Sequence, residues 1–223
     1  MLVRIPHVLG APQLEQVHAL LAKARFVDGR LSAGTAARQV KHNEELAADE
    51  ALHRDLNAIV MGNLVRHPVY KYGALPLRVA APFYARYEPG MRYGDHVDDP
   101  IMGAEARYRS DVSITVFLNR PRDYEGGELL IRTSFGEQRV KYPAGDAVMY
   151  PSSSVHRVEE VTAGTRLVAV TWLQSMVRDP ARRELLFELG QARDRLLSRE
   201  AEAEATRQVD RSYVNLLRMW AEV

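Results

Sequence analysis

Leu77-Arg-Val-Ala-Ala-Pro-Phe-Tyr-Ala-Arg-Tyr-Glu-Pro-Gly90 decides the fold class: two short strand-forming runs, split by one proline and closed by a Pro-Gly turn. The same grammar repeats further on. Val112 to Leu118, Glu128 to Ile131, Gln138 to Tyr142, Ala147 to Tyr150 and Arg166 to Leu173 are apolar or alternating runs of strand length. Pro121, Gly126-Gly127, Phe135-Gly136, Pro143-Ala144-Gly145 and Ala163-Gly164 separate them, and these residue types favour tight reversals. Many short strands at this spacing predict a sandwich or barrel of antiparallel sheet.

Outward from this block the period changes from two to that of a helix. Toward the N-terminus, Pro12 suits a first helical position, and Leu14, Val17, Leu20, Leu21 and Ala24 follow at helix spacing. Asp28-Gly29 marks a turn, and a second amphipathic helix runs from about Asp49 to Val65 with Leu52, Leu56, Ile59, Val60 and Leu64 on one face. Toward the C-terminus, Asp179 caps a helix with Pro180 at its first position. That helix continues to roughly Ala203, and Val209, Tyr213, Leu216, Leu217 and Trp220 form the stripe of a last one. The chain is therefore expected to be α+β: a helical support region over 1–76, a strand core over 77–178 and a helical extension over 179–223. The extension packs on the sheet, and a homo-oligomeric contact through it is compatible with that.

Composition narrows the chemistry. Of 223 residues 46 % are apolar and 26 % charged, as in an ordinary globular protein. Lys plus Arg number 30 against 29 Asp plus Glu, so no excess charge argues for nucleic acid or a membrane surface. Cysteine is absent, which excludes disulfides, thiolate metal sites and a cysteine nucleophile. Any metal must bind through imidazole and oxygen. The start of the chain lacks the pattern of a signal peptide, and no run approaches a membrane span, so a cytoplasmic protein is expected.

His96-Val97-Asp98 ends an extended segment, where residues two apart face the same way and can grip one ion. Alone the pair is weak, since seven His and 29 acids yield about one His-x-acid by accident. Position strengthens it. His156 is the other histidine of the strand-rich region, after the polar turn Tyr150-Pro-Ser-Ser-Ser154; His7, His18, His42, His53 and His67 lie in the first third without ligand spacing. Two imidazoles and one carboxylate on one face of a metal leave its other positions open. Ten residues beyond His156, Arg166 opens the strand Leu167 to Leu173 and is suited to hold a carboxylate by two parallel hydrogen bonds. Its alternative is an exposed strand-edge arginine. Asp99 to Arg109 reads as a substrate lid, with Arg107 and Arg109 either facing an anionic substrate or, more commonly, solvent. Trp172 either lines the barrel or packs in its core.

Tyr87-Glu-Pro-Gly-Met-Arg-Tyr93-Gly-Asp-His96-Val-Asp98, Ser113-Ile-Thr-Val-Phe-Leu-Asn119, Glu125-Gly-Gly-Glu-Leu129, His156 and Arg166 together resemble the prolyl-4-hydroxylase-like oxygenases. The full layout, including Val40-Lys-His-Asn43 and the helical tail, resembles the bacterial PKHD-type hydroxylases (the PiuC/YbiX group). The resemblance implies a double-stranded β-helix, or jelly roll, flanked by N-terminal and C-terminal helices. It implies Fe(II) on His96, Asp98 and His156, which are also the catalytic residues, and 2-oxoglutarate with its distal carboxylate on Arg166 and a hydrogen bond from Tyr87. O2 would be the oxidant and ascorbate a reductant. The implied reaction hydroxylates an unactivated C–H bond of a peptide side chain or siderophore-related small molecule, in a setting of iron uptake, and releases succinate and CO2. Both histidines must be neutral to ligate, so iron loading is expected to weaken below roughly pH 6. One departure stands out: Phe117 occupies the place of a second co-substrate tyrosine, so the carboxylate needs some other polar partner. A cupin-like metal protein and a non-catalytic iron or 2-oxoglutarate sensor are the rivals, and a cupin-like protein has no use for Arg166.

Overall fold

The computed structural model describes residues 1–103 and 106–223. In chain order the elements are β1 (Val3–Ile5), α1 (Ala11–Leu21), β2 (Phe26–Asp28), α2 (Thr35–Val40), β3 (Lys41–His42), β4 (Glu44–Leu46), α3 (Glu50–Leu64), α4 (Pro68–Ala74) and β5 (Pro76–Val79). Then come β6 (Phe83–Tyr87), β7 (Arg92–His96), β8 (Ile101–Met102), β9 (Tyr108–Arg109), β10 (Val112–Phe117), β11 (Tyr124–Gly126), β12 (Leu129–Thr133) and β13 (Gly136–Val140). β14 (Ala147–Pro151), β15 (His156–Val158), β16 (Val161–Gly164), β17 (Arg166–Ser175), α5 (Pro180–Glu200) and α6 (Glu204–Trp220) complete the chain.

Two antiparallel sheets face each other as a jelly roll. The larger runs β1-β14-β10-β17-β6-β4-β2, with β5 also on β17; the smaller runs β13-β12-β15-β7-β3. β17 explains the arrangement by its alternation. Arg166, Val170 and Trp172 point into a cavity between the sheets, while Ala169 and Leu173 point outward into a core shared with the helices. Leu56, Val60 and Leu64 of α3 and Val17 and Leu21 of α1 cover that outer face. Central strands such as Val112–Phe117 are consequently buried on both sides, so the side chains of both faces pack inside the protein.

The first third is less purely helical than its sequence suggests. β1 pairs with β14, and β2 and β4 extend the large sheet beyond β6. These strands have three residues each, too short to show a period. Asp146 anchors β1, accepting from Arg4 Nε at 2.7 Å and His7 N at 2.9 Å. The helix ends do follow their signals: Asp49 accepts from Leu52 N at 2.9 Å, and Asp179 from Ala181 N at 2.7 Å. The tail docks on its own chain, with Leu186 and Tyr213 packed against Leu75 and Val177.

Candidate active site

The antiparallel register of β15 on β7 sets His156 directly opposite His96, with ring centroids 4.2 Å apart. Asp98 follows where β7 ends and places Oδ1 3.8 Å from His156 Nε2. One ligand atom from each of the three lies within 4.8 Å of the others. Backbone carbonyls fix both rings: His96 Nδ1 donates to Gly94 O at 2.8 Å and His156 Nδ1 to Ser154 O at 3.0 Å. In the neutral ring this leaves Nε2 as the lone-pair donor, the tautomer that a metal requires. Asp98 Oδ2 accepts from Ser113 Oγ at 2.5 Å, and Ser113 Oγ also meets Ser152 Oγ at 2.7 Å, so the large sheet orients a carboxylate carried by the small one.

Tyr93 stacks on His96 with centroids 3.6 Å apart and shields it. Burial, followed by the neighbouring His156 and more weakly Lys41, lowers the His96 pKa to about 4, against the opposing pull of Gly94 O and Asp98. Water is scarce around His96, so its charged form is disfavoured well below the ordinary imidazole range.

Arg166 opens β17 opposite Tyr87 on β6, and only 1 % of it is exposed. Its Cζ lies 4.9 Å from the Tyr87 ring and 5.9 Å from that of Phe117. Nε and Nη1 have no hydrogen-bond partner among the described residues. A buried cation without an acceptor is costly, so this guanidinium is prepared for an anion that the chain itself does not supply. The exposed strand-edge alternative is thereby excluded.

His96, Asp98, His156, Tyr87 and Arg166 all line one cavity of about 610 Å³ between the sheets. Trp172 lines it too, edge-on to Phe83 at 5.6 Å. The lid stretch forms the hairpin β8–β9 on the cavity rim, with Ile101, Met102 and Tyr108 facing in; Ala104 and Glu105 lie outside the described residues. Arg109 is not free for a substrate. It is paired with Asp111 at 2.7 Å and lies 3.7 Å from Glu222. Lys41 and Glu45, also on the cavity wall, form a buried ion pair with each other. Sequence reasoning missed Ser113, Ser152 and Tyr93. Ser113 had left a signal, since it and Thr115 alternate with the apolar Val112, Ile114 and Val116 of the same strand.

Comparison with known proteins agrees with this geometry. Residues 82–174 match the model of the 2OG-Fe(II) oxygenase superfamily, and residues 180–222 match that of the PKHD-type hydroxylase C-terminal domain. A PKHD-type hydroxylase of Thioalkalivibrio sulfidiphilus is 55 % identical over the whole of both chains. The chain belongs to the PKHD-type hydroxylase family. Another member of that family, from Acaryochloris marina, is 47 % identical, again over both full lengths. Among solved structures, the prolyl hydroxylase of Trichoplax adhaerens, in complex with a hypoxia-inducible-factor peptide fragment, superposes with a TM-score of 0.56. It is 18 % identical over 82 % of this chain and 86 % of that one, a likeness of fold. As a PKHD-type hydroxylase the protein is a 2OG-Fe(II) oxygenase, whose family implies Fe(II) and 2-oxoglutarate. Its residues fit both groups: two imidazoles and a carboxylate suit Fe(II), and a buried guanidinium whose Nε and Nη1 lack partners among the described residues suits a dicarboxylate.

Proposed function

We propose that this PKHD-type hydroxylase holds Fe(II) on His96, Asp98 and His156 and the distal carboxylate of 2-oxoglutarate on Arg166, with Tyr87 beside it. Its reaction is hydroxylation of an unactivated C–H bond in a peptide side chain or siderophore-related small molecule. The observation that carries this reading is the convergence of three metal donors and an unpartnered, buried arginine on one cavity. When bound, Fe(II) and 2-oxoglutarate supply the oxidising power for O2 chemistry, with succinate and CO2 as co-products. The chain's own work is orientation and exclusion of water. Gly94 O and Ser154 O hold the imidazoles in their ligating tautomer, Ser113 aims Asp98, and Tyr93 covers His96. Arg166 holds the co-substrate at the end of the cavity by a charge-assisted fork.

A setting in iron uptake and ascorbate as reductant rest on the likeness to the PiuC/YbiX group. No described helix is long and apolar enough to cross a membrane, and a cytoplasmic location is part of the same proposal.

The test is oxygen-dependent conversion of 2-oxoglutarate to succinate by Fe(II)-loaded protein. His96→Ala is expected to abolish it and His53→Ala, on a helix remote from these donors, to preserve it. Equal loss in both variants would remove the reason for choosing this triad.

A further inference from the structure

One pair of charges on the cavity wall has no task in holding either the metal or the co-substrate. Lys41 and Glu45 are each 8 % exposed, line the cavity and are paired with each other. Replacing a buried ion pair with apolar side chains of similar size is often neutral or stabilising, so stability alone does not account for one here. Its place follows from the segment that carries it. β3 sets Lys41 opposite Tyr93 on the small sheet, and β4 sets Glu45 opposite Ala85 on the large one. Lys41 Nζ lies 5.4 Å from the centroid of the Tyr93 ring, which in turn stacks on His96. The pair thus spans the two sheets beside the metal donors.

Lys41 Nζ also donates to Ser32 Oγ at 3.0 Å, which leaves one of its three N–H groups. Glu45 gives Oε1 to Lys41 and makes no other side-chain hydrogen bond or ion pair among the described residues, so Oε2 keeps its capacity to accept. Charge balance narrows what can meet this pair. Fe(II) and Arg166 together balance Asp98 and the two carboxylates of 2-oxoglutarate, and Lys41 balances Glu45. Asp99, the remaining acid on the lining, is exposed at the rim, where water screens it. The loaded cavity is therefore balanced without any charge from the substrate. A charged substrate head would lose its water there and gain no counter-charge. Phe83, Val170, Trp172, Ile101 and Met102 give the same cavity an apolar side.

We infer that the substrate group this cavity admits is uncharged, an apolar body carrying an amide, and that the Lys41–Glu45 pair selects it. An amide offers an N–H to Glu45 and a C=O to Lys41, so it engages both halves of the pair without disturbing their balance. The inference rests on the proposed iron and co-substrate site and names a substrate class for it.

The experiment is an anaerobic NMR titration of protein saturated with Fe(II) and 2-oxoglutarate, using three probes that share one aromatic body. These are 3-phenylpropanamide, 3-phenylpropanoate and 3-phenylpropylamine, whose heads are neutral, anionic and cationic. Broadening of the probe lines by Fe(II) reports binding beside the metal. The amide is expected to bind at least about tenfold more tightly than either charged probe, because an unpaired charge loses its water in a dry site. Glu45→Gln leaves Lys41 unbalanced and should turn the preference to the carboxylate, whereas Lys41→Met leaves Glu45 unbalanced and should turn it to the amine. A wild type that prefers a charged probe, or binds none of the three, would overturn the inference. So would two variants that keep the wild-type order of affinities or weaken all three probes alike. A wild type that takes up no Fe(II) or 2-oxoglutarate before the probes are added would instead overturn the site on which the inference stands.

Discussion

A histidine and an aspartate two residues apart are common, and what makes His96 and Asp98 a site is what surrounds each atom. His96 is stacked under Tyr93, faces His156 and donates to Gly94 O, so it stays neutral where a solvated imidazole would charge. The consequence for stability has a definite sign. An unfolded histidine takes up a proton near pH 6.5, whereas folded, metal-free His96 resists until about pH 4. Across that window the unfolded chain binds the extra proton. The His96 contribution is fully present above about pH 6.5 and is lost as the pH falls toward 4. A proton NMR titration of the metal-free protein should place the His96 midpoint near pH 4; a midpoint near 6.5 would show that the ring is solvated. The ligands themselves were legible in the sequence because His156 and Arg166 fall at strand ends in the same block. The roles of Ser113 and Ser152 were not, because they depend on which residues the two sheets bring opposite each other.

At the scale of elements, long regular segments announced themselves and short ones did not. α1, α3, α5 and α6 carry helical stripes and caps, and β6, β10, β14 and β17 are apolar enough to stand out. β7 was read only as an extended segment ending near His96, without bounds, because Arg92 and Asp95 are exposed on it. β15 and β16 are only three and four residues long. The turn between β11 and β12 shows how the local chain supports the position of Arg166. Gly126 has φ of +68°, and a Cβ there would lie 2.0 Å from Glu160 O, a backbone atom that cannot move aside cheaply. Gly126→Ala should therefore destabilise the protein by about 1–3 kcal/mol. It should also weaken 2-oxoglutarate binding, since Gly126 pairs with β16, which leads directly into Arg166. Urea unfolding with a parallel binding titration checks this, and a variant with wild-type values in both would contradict the account of the turn.

Across the whole molecule, the two sheets divide the labour. The small sheet brings His96 and His156 together through the β7–β15 register, and the large sheet contributes Ser113, Tyr87 and Arg166. Asp98 is where they meet, carried after β7 and hydrogen-bonded from β10. The helices α1 and α3 stiffen the outer face of the large sheet, and the C-terminal pair packs on Leu75 and Val177 at its far end. This division was only partly visible in sequence: the strand-rich character of the core was evident, but the short strands and the pairing of distant ones were not. The most direct measurement is anomalous diffraction at the iron edge from crystals grown without oxygen in Fe(II) and 2-oxoglutarate. One strong peak within bonding distance of His96, Asp98 and His156, with co-substrate density running from it to Arg166, is the predicted result. A peak at other residues, or a keto acid whose distal carboxylate lies away from Arg166, would contradict it.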